Sequence, residues 1–101
     1  MTTAQALLAD LPDGEAIPLP WIRDRVGWSR DAQSYAVKAG VIRPLPGHGP
    51  HRSYQVSRAD AVEILIAAAL AVAAGIAVVA MLRAIQGAGL NAEALASAVK
   101  T

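Results

Sequence analysis

The run ILIAAALAVAAGIAVVAML, Ile64 to Leu82, extends over nineteen residues without a charged or strongly polar side chain. A chain that carries it must place the run in a bilayer or bury it in a core. The length permits a span. Its nine Leu, Ile and Val residues favour insertion by about −0.3 to −0.6 kcal/mol each, roughly −3 to −5 kcal/mol together, with Ala near neutral. Three features oppose a span. Val62, Leu65, Ile66, Ala69, Leu70 and Ala73 recur at steps of three and four, which is an amphipathic stripe. Gly75 then interrupts the run, and no aromatic residue anchors either end. The pattern predicts two helices hinged at Gly75, with no membrane partner; an integral membrane helix over 64–82 is the alternative from another class.

With 101 residues there is material for one modest core rather than two. The absence of cysteine excludes disulfides and thiolate metal sites and suits a reducing compartment. The opening MTTAQALLADLPDGEA has no basic cluster followed by an apolar core, so a cytoplasmic location is expected. The net charge of +1 conceals a segregation. Residues 21–58 hold Arg23, Arg25, Arg30, Lys38, Arg43, Arg52 and Arg58 against Asp24 and Asp31, seven cations to two anions and a net of +5. Local cationic density of this kind is what a phosphate backbone responds to. A solvated basic face is the plain alternative.

Around that segment the helix signals are well formed. Residues 1–16 read as an accessory helix, capped by Thr2 or Thr3, with Ala4, Leu7, Leu8 and Leu11 on one side and LPDGE ending it. The Pro-rich IPLP is a short extended entry, and Pro20 suits the first turn of a helix that stops at Gly27. Ser29 caps a second helix, RDAQSYAVKA, closed by Gly40, with Asp31 complementing the helix dipole. Two short helices joined by Gly27, Trp28 and Ser29 outline a helix-turn-helix. Val41–Leu45 and Arg52–Val56 then predict a β-hairpin wing with a Pro/Gly tip. Ser57 caps a third helix, Ile76 to Gln86 forms a fourth, and Asn91 caps a short last one with Leu95 and Val99 one turn apart.

The stretch VGWSRDAQSYAVKAGVIRP, followed by HRSY and by SRADAVEILIAAALAVAAGIAVVAMLRAI, resembles the winged helix-turn-helix DNA-binding domain of the MerR family. The matching residues are Gly27, Ser29, Arg30, Tyr35, Gly40, Val41, Ile42, Pro44, Arg52, Tyr54 and Gly75, and the likeness covers residues 17–86. It implies a mainly α fold, a winged helix-turn-helix over 17–86 with a small β-hairpin wing, to which the chain's own pattern adds an accessory helix over 1–16 and a short one over 87–101. It also implies that Arg30 and Tyr35 face the major groove, that Arg52 in the wing meets the backbone or minor groove, and that Tyr54 packs. The chain departs from the family at Gln33 and Ser34, where Leu and Arg are usual. The long coiled-coil helix and any effector domain have no counterpart, so sensing is not expected. The chain is nearer to the small regulators and excisionases of phages and mobile elements.

The function expected is sequence-specific binding of double-stranded DNA as a transcriptional regulator, a repressor of phage or mobile-element type, with an excisionase as the near alternative. The candidate contacts are Ser29, Arg30, Gln33, Ser34, Tyr35, Lys38, Arg43, His51 and Arg52. Arg offers bidentate contact to phosphate or guanine, and a Ser at a helix N-terminus can meet a phosphate. No cofactor is expected. His48 and His51, three apart in a Pro/Gly loop with no carboxylate or Cys nearby, are loop residues rather than metal ligands. No nucleophile stands beside an oriented base and no phosphate loop is present, so no enzyme is expected. Val79, Ala80 and Leu82 are apolar where the family leaves polar, exposed positions. That surplus predicts cover from the terminal helices and from a second copy or another protein against residues 76–86.

Overall fold

The computed structural model describes residues 11–46 and 54–90, together with Ala6, Leu8 and Ala9. Strand β1 (Ala16–Pro18) leads into helix α1 (Leu19–Val26), and helix α2 (Arg30–Lys38) follows. Strand β2 (Gln55–Ser57) then leads directly into the long helix α3 (Arg58–Ala74), and helix α4 (Val78–Gly87) folds back on it. The described residues are therefore mainly helical, with one two-stranded antiparallel sheet.

Each boundary has a local cause. Pro20 sits in the first turn of α1, where no intrahelical N–H is needed. Gly27 ends α1 in the left-handed region at φ 75°, and the N–H of Trp28 donates to the Arg23 carbonyl at 3.0 Å. The hydroxyls of Ser29 and Ser57 cap α2 and α3, each accepting an N–H three residues on at 3.1 Å. Gly75 closes α3 at φ 71°, while the N–H of Ile76 donates to the Ala71 carbonyl at 3.0 Å. A Cβ built at Gly75 meets nothing within 4 Å, so glycine is needed there for its backbone conformation and not for space.

The sheet differs from the expected wing. The partner of β2 is the entry strand β1, with Ile17 opposite Val56, and not the segment Val41–Leu45. Val41 and Ile42 turn into the core, and their N–H groups donate back to the Ala36 carbonyl. Pro44 and Pro46 have no N–H to give a ladder. Between the expected arms, the N–H of Leu45 donates to the Gln55 carbonyl at 2.7 Å. The wing tip, residues 47–53, lies outside the described residues, as do the helix expected from Asn91 and most of that expected over 1–16.

Ile17, Leu19, Ile22, Val56, Leu65 and Leu82 are fully buried and form the centre of one core with Ile42, Ile64 and Ile85. Helix α3 is its axis. From Glu63 to Ala69 every residue of α3 is buried, so the amphipathic stripe read from the sequence is too narrow. The sheet, α1 and α4 all pack on this helix, which leaves no turn of its middle for solvent. Leu70, assigned to the buried stripe, is 42% exposed where those neighbours end. Leu82, for which cover from the terminal helices or a second copy was expected, is 0% exposed, held against α3 within its own chain. Among the described residues the large aliphatic side chains that face solvent are Leu70, Val72 and Ile76, around the α3–α4 turn, and Leu90 after α4. Among the described residues no helix is long and apolar enough to cross a membrane.

Two polar devices hold the periphery. Arg25 donates to the Ala9 carbonyl and stacks on Trp21, its guanidinium 5.0 Å from the ring centroid. Arg58 donates to the Pro12 carbonyl at 2.7 Å, and its own N–H donates to Glu15. The N-terminal segment is thus strapped to the core by two arginines. On the opposite side the buried Glu63 accepts from Gln86 Nε2 at 3.0 Å, and the same amide donates to the Val41 carbonyl at 3.1 Å. That bridge ties α3, α4 and the turn after α2 together.

Candidate nucleic-acid interface

Helix α2 lies across the outside of the core, anchored by the buried Ala36 and the half-buried Val37. The spacing of an α-helix then decides what faces outward. Arg30, Ser34 and Lys38 follow one another at steps of four and share one exposed face, with Asp31 and Tyr35 on its flank. Tyr35 keeps 58% of its surface exposed, which is high for an aromatic ring in a chain with so few of them. Among the described residues neither Arg30 nor Lys38 has a hydrogen bond or ion pair, so both cations are open to an external partner.

Ser29 stands at the N-terminus of this face. Its hydroxyl accepts the N–H of Ala32 at 3.1 Å, and its carbonyl accepts the N–H of Gln33 at 3.1 Å. The cap fixes the first turn of α2, and the positive end of the helix dipole lies beside Arg30. Asp31 in that turn suits the dipole and also lowers the net charge of the flank. The arrangement offers two cations, a hydroxyl and a phenol along one helical ridge of nine residues, a set that can contact phosphates and base edges.

The remaining candidates are distributed differently. Gln33 is half-buried and turned toward α1, where its Oε1 accepts from Arg23 Nη1 at 3.4 Å. Arg43 is exposed and paired with Asp60 of the α3 cap at 3.1 Å, so its charge is partly answered within the chain. His51 and Arg52 lie outside the described residues. Tyr54 is half-exposed, and its carbonyl accepts the N–H of Leu19 at 2.9 Å, joining β2 to the start of α1.

Three relationships escaped the sequence. Nothing in a spacing rule pairs Arg23 with Gln33, ten residues apart on different helices. Arg25 and Arg58, counted within the basic segment, are committed to carbonyls of the N-terminal strap. Among the described residues the cations of the segment whose side chains have no partner within the chain are Arg30 and Lys38, both on α2. The one advance signal for Arg58 was its place just after the Ser57 cap, where a cation is unfavourable to the helix dipole and needs another reason to be there. No protein-family model matches the chain, and no curated protein or solved structure matches it significantly.

Proposed function

We propose that this chain binds double-stranded DNA with sequence preference and acts as a transcriptional regulator, a repressor of the small phage or mobile-element kind within the MerR superfamily. The observation that carries the reading is the exposed face of α2. Its two cations, Arg30 and Lys38, are unpaired among the described residues and lie on a helix that is capped by Ser29 and anchored in the core by Ala36. Order and spacing of the residues that resemble the MerR domain support the same reading, as does the three-residue connection between α1 and α2. In this mechanism α2 enters the major groove with its N-terminal half toward the bases. Ser29, Arg30 and Lys38 meet phosphates or base edges, Tyr35 covers the flank, and Arg52, carried over from the resemblance, grips the neighbouring backbone. Arg43 contributes secondarily because Asp60 competes for it.

Phosphate contacts supply most of the affinity in such a complex and position the helix, while a few base contacts select the site. The test is fluorescence anisotropy of a labelled duplex, chosen from a random pool, across a series of salt concentrations. The wild type is expected to bind with a steep salt dependence. Arg30→Ala and Lys38→Ala should each weaken binding and lower the slope of log affinity against log salt by about one. Affinity and slope unchanged in both variants would remove α2 from the interface.

A further inference from the structure

We propose that Arg23 orients the amide of Gln33 so that this position of α2 reads guanine rather than adenine; the inference rests on the DNA-binding reading above. A guanidinium carries only donors, so the atom of Gln33 that faces Arg23 must be its oxygen, and Arg23 Nη1 lies 3.4 Å from Gln33 Oε1. The amide can therefore occupy one of its two flips, with Nε2 and both its hydrogens directed away from α1. The bond is long, and its role is orientation more than adhesion.

Both ends of the pair are held. The Arg23 carbonyl accepts the N–H groups of Gly27 and Trp28 that close α1, which fixes the backbone from which its side chain departs. Gln33 makes the first hydrogen bond of α2, its N–H donating to Ser29. Arg23 and Gln33 are both half-buried where they meet, so swinging either away gives up a partly shielded hydrogen bond.

The orientation selects among bases. A Gln contacts adenine best by donating to N7 while its oxygen accepts from N6. Turning the oxygen outward for that contact breaks the bond to Arg23. Guanine presents N7 and O6, two acceptors, and an outward NH2 group satisfies them without any rearrangement. Arg30 lies one turn before Gln33 on the adjoining face and is also a pure donor. Two neighbouring positions of α2 thus present donors only, and the matching DNA step is a run of guanines on one strand.

The experiment is selection of bound duplexes from a randomised pool by the wild type, Gln33→Ala, Arg23→Met and Arg23→Lys, with thermal melts to confirm that each is folded. The wild type should recover a motif with a guanine that becomes indifferent in Gln33→Ala. Arg23→Met should shift that same position toward adenine, with the guanine-to-adenine ratio falling about tenfold. Arg23→Lys, still a pure donor, should retain guanine. A motif that either Gln33→Ala or Arg23→Met leaves unaltered, with the variant folded, overturns the inference alone. A wild type that recovers no duplex above background overturns the DNA-binding reading and the inference together. If Arg23→Met fails to fold, the Gln33→Ala and Arg23→Lys motifs decide: adenine or indifference at that position with Lys overturns the proposal.

Discussion

Replacing Leu82 by Ala removes a side chain that is 0% exposed and packed against α3 in the same chain. The loss combines the transfer free energy of the deleted atoms with the cavity they leave, and for a site so enclosed it should reach about 3 kcal/mol. A domain of this size has roughly 5–15 kcal/mol of stability in all. A melting temperature that falls by about 4–8 °C per kcal/mol would then drop by about 12–24 °C. Thermal denaturation followed by far-UV circular dichroism, at two protein concentrations well apart, reads the effect. Because Leu82 is covered within its own chain, the penalty should be the same at both concentrations. Val72→Ala supplies the contrast, since its side chain is 76% exposed and the cost should stay within about 0.5 kcal/mol. A Leu82→Ala penalty below about 1 kcal/mol, or one that grows on dilution, would mean that a second copy covers α4 and would refute the core described above.

Other substitutions probe the frame of the reading helix. Ser29→Ala removes the α2 cap and should cost about 1 kcal/mol in a melt, with Ser29→Asp restoring most of it. Gly75→Ala should cost about 1 kcal/mol through the left-handed backbone alone, and Gly75→Asn less, because nothing crowds the position. Arg58→Ala frees the N-terminal strap, so limited proteolysis should cut within residues 8–15 well before the core unfolds. Arg43→Ala breaks an exposed ion pair and should leave stability within about 0.5 kcal/mol of the wild type by chemical denaturation.

Much of this architecture was legible because short-range chemistry sets it. Ser29 and Ser57 as caps, Pro20 in a first turn, and Gly27, Gly40 and Gly75 as helix terminators each act through their own backbone, and each is where local rules place it. The break of the apolar run at Gly75 follows for the same reason. Long-range pairing was not legible. The segment containing Val41 and Ile42 has the β-branched composition of a strand, yet those side chains are worth more inside the core, while Ile17 reaches Val56 across the whole length of α1 and α2. Helix α3 misled in a different way. Periodicity assumes one buried face, and a helix covered by the sheet, α1 and α4 together has little periodicity to show. In the candidate site, Arg30, Ser34 and Lys38 share a face by helical spacing alone. The turning of Gln33 toward Arg23, and the diversion of Arg25 and Arg58 to carbonyls, depend on how separate elements pack.

On the proposed function, the outer face of α2 is the surface that meets DNA. Amide chemical-shift mapping of the full chain titrated with a duplex recovered from the random pool tests it most directly. The account predicts that the largest shift changes fall on Ser29, Arg30, Ser34, Tyr35 and Lys38 and fade as salt is added. Shift changes gathered instead at Leu70, Val72 and Ile76, or a spectrum that the duplex leaves unaltered at low salt, would contradict it.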